Sequence, residues 1–85
     1  MKEIEWVVRD EFGIHARPAG LFVKEAAKFR SDIAVKKGEK EADGKKLFGI
    51  MGLGVRCGDK IIIGINGEDE ESAAAALTVF LEKNL

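Results

Sequence analysis

The run Lys60-Ile61-Ile62-Ile63-Gly64-Ile65 is the strongest strand signal in this chain of 85 residues. β-branched side chains favour the extended, pleated backbone, and a continuous apolar run marks a strand in the middle of a sheet. Gly64 inside the run is expected to mark a bulge or a close backbone approach. Ile4, Trp6 and Val8 alternate with Glu3, Glu5, Val7 and Arg9, which predicts a second strand with one buried face. Two short strands follow at Ile33–Lys36 and Lys40–Ala42, with Gly38 in the turn between them.

Helical spacing fills the rest of the chain. Ala19, Phe22, Val23 and Ala26 recur on one face of a helix expected from about Ala16 to Lys28, with Arg17, Gly20, Leu21, Lys24 and Lys28 on the other. A short helix is expected from Lys46 to Leu53, stopped by Gly54. At about 100° per residue, its Ile50 and Leu53 point one way while Leu47, Phe48 and Met51 cluster on another. Two turns at a domain surface bury only one side well, so one apolar cluster is expected to stay exposed. The last helix starts near Asp69, a suitable N-cap followed by Glu70 and Glu71, and carries the stripe Ala73, Ala76, Leu77, Phe80, Leu81. The order β-α-β-β-α-β-α with short loops predicts a single α+β domain over 1–85. It is a two-layer sandwich whose four-stranded antiparallel sheet is covered by three helices on one face.

Composition narrows the chemistry. There is one histidine and one cysteine, Cys57. A single cysteine rules out an intrachain disulfide framework and fits a reducing cytoplasm, and because Cys57 has no second cysteine and no histidine near it in sequence, neither a zinc site nor a Cys–His dyad is expected. No metal and no bound cofactor are expected. No apolar run approaches the ~18 residues of a membrane span, and Met1-Lys2-Glu3-Ile4-Glu5 lacks the basic-then-apolar order of a signal peptide. Net charge is −1, but residues 12–60 carry 11 Lys/Arg against 6 Asp/Glu. The middle of the chain is thus the basic part of an acidic protein, suited to an acidic partner or a phosphorylated donor rather than to nucleic acid.

That basic segment holds Gly13-Ile14-His15-Ala16-Arg17-Pro18-Ala19, with the only histidine and the only proline. Proline suits the first turn of a helix, where its missing N–H would have had no partner. His15 is therefore expected at a helix N-terminus, among free N–H groups of Ala16 and Arg17 that favour negative charge. Arg17 adds a permanent cation able to fork onto phosphoryl oxygens. Taken alone, a histidine at a helix start is more often a cap or a packed ring than a nucleophile.

Several motifs in register change that balance. Besides residues 13–19, these are Lys28-Phe29-Arg30-Ser31-Asp32-Ile33, Leu47-Phe48-Gly49-Ile50-Met51-Gly52-Leu53-Gly54 and Gly67-Glu68-Asp69-Glu70-Glu71-Ser72-Ala73. Together they resemble the histidine-containing phosphocarriers (HPr) of the bacterial phosphoenolpyruvate-dependent sugar phosphotransferase system, over nearly the whole chain. The resemblance implies an open-faced β-sandwich and a relay: Enzyme I, which uses phosphoenolpyruvate and Mg²⁺ upstream, phosphorylates Nδ1 of His15, and a sugar-specific IIA protein or domain takes the group onward. It also implies that Arg17 steadies the phosphoryl group and that Ala16, Arg17 and Pro18 form its helix-terminal cradle. Gly20, Lys24, Lys45, Lys46, Leu47, Phe48 and Met51 would dock both partners. A monomer is the expected carrier. Lys46 stands where many relatives have a serine phosphorylated by a regulatory kinase, so that control is expected to be absent. A regulatory paralogue of the nitrogen-related type and an interaction-only domain are the alternatives.

Overall fold

The computed structural model describes all residues 1–85. It contains β1 (Lys2–Val7), α1 (Ala16–Ala26), β2 (Asp32–Lys37), β3 (Lys40–Asp43), α2 (Leu47–Gly52), β4 (Lys60–Asn66) and α3 (Glu70–Asn84). The strands form one sheet in the order β1-β4-β2-β3, antiparallel throughout.

β4 is central, as its isoleucine run requires. Ile61, Ile63 and Ile65 point into the core, flanked across the ladder by Ile4 and Trp6 of β1 and by Ile33 and Val35 of β2. Each fully buried isoleucine contributes roughly 1.5–3 kcal/mol. From the helical layer, Phe22 of α1 and Phe80 of α3 meet edge to face at 5.7 Å between ring centroids. Leu77 and Leu81 complete this contact with the strands. The opposite sheet face carries Glu3, Glu5, Lys36, Glu41 and Asp43, all exposed or half-buried, and remains uncovered.

Four expectations need correction. Gly64 makes no bulge and no close approach: it pairs in unbroken register with Glu3 and Ala34, and a Cβ there would meet nothing within 4 Å. α1 stops at Ala26, because Lys28 and Phe29 donate to the carbonyls of Glu25 and Ala26 in a tightened turn that redirects the chain. Lys46 and Leu53 flank α2 as its caps rather than joining it. Leu47 leans onto the core instead of standing out with Phe48 and Met51.

Asp69 does more than start α3. Its side chain makes no cap bond to its own helix. The carboxylate instead accepts hydrogen bonds from the N–H of Arg30 (2.8 Å), the N–H of Ser31 (3.0 Å) and the Ser31 hydroxyl (2.5 Å). One carboxylate thus fastens the α1–β2 loop to the first turn of α3. The Ser31 hydroxyl, then the Arg30 N–H, hold its pKa down at about 2, below the usual 3.8. Because the folded value is depressed, this contribution to stability is fully present above about pH 4 and is lost as pH falls toward 2. Asp69→Asn should lower the thermal midpoint at neutral pH by several degrees. It should also flatten the decline of stability between about pH 4 and pH 2, as read by urea unfolding across that range.

Candidate functional site

The backbone before His15 is clamped by the chain that follows α2. Gly13 has φ +67°, and a Cβ there would lie 2.3 Å from the Val55 carbonyl oxygen and 2.8 Å from Arg56 Cα. Only glycine satisfies both the left-handed conformation and the contact. The Gly13 N–H donates to the Asp10 carbonyl (2.9 Å) and the Ile14 N–H to the Val55 carbonyl (3.1 Å). After His15, Pro18 and Ala19 of α1 are buried. The histidine therefore projects from a fixed backbone bracketed by buried residues.

His15 occupies the N-cap position of α1, with extended φ −97° and ψ −175°, and its side chain makes no cap bond. Its carbonyl accepts the first helical bond, from Ala19 N–H at 3.0 Å. The N–H groups of Ala16 and Arg17 have no acceptor in the protein. Pro18, the third helical residue, is buried and has no N–H, so it supplies no donor to the cradle. It pre-sets the helical φ and packs. Arg17 is exposed, and its guanidinium makes neither an ion pair nor a hydrogen bond. An exposed imidazole, two free amides at the positive end of a helix and an unpaired guanidinium form an anion-accepting surface without a closed pocket.

His15 and Arg17 border an open cavity of about 370 Å³, shared with Asp10, Phe12 and Leu21 and with Lys83 and Asn84 from the end of α3. Sequence reasoning missed these neighbours. Phe12 carried a signal, being a large apolar side chain beside the turn glycine. Lys83 and Asn84 carried none, since only the packing of α3 beside α1 brings them here.

The expected docking residues divide. α2 packs against α1 and leaves Phe48 84% and Met51 38% exposed, while Ile50 and Leu53 are buried. Phe48 is thus no core residue. Gly20 is half-buried with open space above it, and Lys24 and Lys46 are exposed. Lys45 departs from the expected rim. Its Nζ donates to the Phe29 carbonyl at 2.7 Å, and its stem borders the hollow on the uncovered sheet face. Its charge is engaged in holding a loop. Cys57 is exposed, with Sγ 3.7 Å from the Arg9 carbonyl oxygen.

An exposed histidine thus stands at the head of a helix on an open-faced four-stranded sandwich. The family model described as "PTS HPr component phosphorylation site" matches residues 2–83. The phosphocarrier protein HPr of Mycoplasma genitalium is 44% identical over 85 residues, covering 99% of this chain and 97% of that protein. The HPr-like protein Crh of Halalkalibacterium halodurans is 40% identical, covering 96% and 95%. The crystal structure of HPr from Thermoanaerobacter tengcongensis superposes with a TM-score of 0.93 at 43% identity, covering 98% and 93%. The chain belongs to the HPr family of phosphocarriers of the phosphotransferase system.

The clamp beneath His15 can be tested by comparing two glycines. Gly38 also has a positive φ, +59°, but a Cβ there meets nothing within 4 Å. Gly38→Ala should cost about 1 kcal/mol from backbone strain alone. Gly13→Ala, which adds a collision with backbone, should cost roughly 2–4 kcal/mol. Equal losses in urea unfolding would contradict the clamp.

Proposed function

We propose that the chain accepts a phosphoryl group on Nδ1 of His15 from Enzyme I and passes it to a sugar-specific IIA protein or domain. The observation that carries this reading is the pairing of an exposed imidazole with the unoccupied Ala16 and Arg17 amides and the unpaired Arg17 guanidinium. An imidazole lone pair attacks the incoming phosphorus in line as the bond to the donor breaks. The phosphoryl oxygens then carry negative charge beside the positive helix terminus and Arg17. Catalysis is positioning plus charge stabilisation, and each partner completes the geometry that this small domain leaves open. Phosphoenolpyruvate is consumed upstream by Enzyme I with Mg²⁺ as its cofactor, and neither needs a site here.

Docking falls to Phe48 and Met51 at the centre, with Leu47 and Gly20 beside them and Lys24 and Lys46 at the rim. A relay must release each partner quickly, which favours a small apolar patch ringed by charge. A monomer working in the cytoplasm suits a carrier that meets two different partners in turn. The likeness to the solution structure of Crh, the Bacillus subtilis catabolite repression HPr, at 34% identity, supports a second, regulatory reading. The presence of both His15 and Arg17 argues against an interaction-only domain. Lys46 has no hydroxyl, so a kinase directed at that position has no acceptor here.

Incubation with Enzyme I, Mg²⁺ and phosphoenolpyruvate should add one acid-labile, base-stable phosphate by intact mass, and His15→Ala should abolish it. A phosphorylated form that then transfers to no IIA protein would favour the regulatory reading. Phe48→Ala should raise the KM for transfer about 5- to 30-fold. Its thermal midpoint should stay near the parent value, since exposed positions rarely matter by more than about 0.5 kcal/mol.

A further inference from the structure

Phe12 stands beside His15 and has no role in the fold. It is 72% exposed, so burial does not explain an aromatic ring there. Yet its ring centroid lies 5.9 Å from that of His15, with the two planes at 84°. This is the edge-to-face arrangement that aromatic pairs prefer. The backbone beneath Phe12 is fixed. Its N–H donates to Asp10 Oδ1 at 2.9 Å, and the Asp10 carbonyl accepts from Gly13 N–H at 2.9 Å. One residue further back, the Arg9 N–H donates to the Leu85 carbonyl at 2.6 Å.

We infer that Phe12 is a positioning residue for His15, holding its imidazole plane in the orientation that meets an incoming phosphoryl group. The inference rests on His15 as the phosphoryl acceptor, as proposed above. The imidazole has no hydrogen bond from its own helix to restrain it. Left alone, an exposed side chain samples several rotamers on a ps–ns timescale, and only some of them turn one ring nitrogen toward the free Ala16 and Arg17 amides. A ring packed at right angles against the imidazole removes part of that freedom before the partner arrives. The benefit is geometric, so it belongs to the transfer step rather than to affinity. Both rings wall the same open cavity with Arg17, so the cavity beside the imidazole stays open with Phe12 in place.

Two substitutions separate ring from bulk. Phe12→Leu keeps an apolar side chain without the ring, and Phe12→Tyr keeps the ring. In the free, unphosphorylated protein, NMR χ1 couplings and ring relaxation of His15 should show rotamer averaging in Phe12→Leu and parent-like order in Phe12→Tyr. In transfer from Enzyme I, Phe12→Leu should lower kcat about 2- to 10-fold with KM changed by less than about twofold. Phe12→Tyr should restore kcat. Unchanged His15 couplings in Phe12→Leu would overturn the inference. So would a rise in KM alone, which would make Phe12 a docking wall. Should the parent protein take no phosphate at all, the carrier reading fails, while the couplings still decide whether Phe12 orders the imidazole.

Discussion

The central position of β4 is the constraint on which the rest of this molecule depends. Its inward isoleucines take partners from both neighbouring strands and from α1 and α3 above them. A strand flanked on both sides has every backbone group paired, so its hydrogen bonding leaves nothing for solvent to complete. With one sheet face committed to helices, α1 must cross the sheet at a fixed height. Its N-terminus, and hence His15, is delivered to the edge of the helical layer. The Gly13–Val55 contact then sets the final orientation, because the segment leading into β4 presses directly against the turn before His15.

Two carboxylates and two cations show how local chemistry serves these connections. Asp69 spends its hydrogen-bonding capacity on the α1–β2 loop rather than on its own helix, tying the two helices that carry the core aromatics. Asp10 holds the turn that carries Phe12. Lys45 fastens the Phe29 carbonyl and Lys37 reaches the Gly54 carbonyl and Asp59, so these charges are structural. Arg17, by contrast, is left without a partner. The proposed transient hold on a phosphoryl group requires donors that are not already satisfied, and the amides at the head of α1 are such donors.

Much of this was legible in the residues. The isoleucine run fixed a central strand, helical spacing placed α1 and α3, and the split faces of α2 foretold exposed Phe48 and Met51. Misjudgements came where tertiary contact overrides local pattern. Gly64 reads as an irregularity, yet it lies in regular ladder because the uncovered face needs no side chain there. Asp69 holds the N-cap position its sequence context predicts, yet a loop distant in sequence takes its side-chain oxygens. Lys45 and Lys46 look alike in sequence, but only the fold shows that one is engaged with Phe29. Pro18 marks the first turn of α1, as its ring requires, but a residue without N–H offers an anion no donor. Lys83 and Asn84 reach the His15 cavity from the far end of the chain, which no local spacing encodes.

The proposed relay requires the free amides at the head of α1 to receive a phosphoryl group carried by His15. The most direct measurement is a pair of ¹⁵N–¹H spectra recorded before and after phosphorylation, and again after the phosphate is discharged. Hydrogen bonding to phosphoryl oxygens should move the Ala16 and Arg17 amide protons downfield more than any others, reversibly, while the amides of β4 stay in place. A phosphorylated protein whose Ala16 and Arg17 amides do not shift, or whose largest shifts fall elsewhere, would contradict the account.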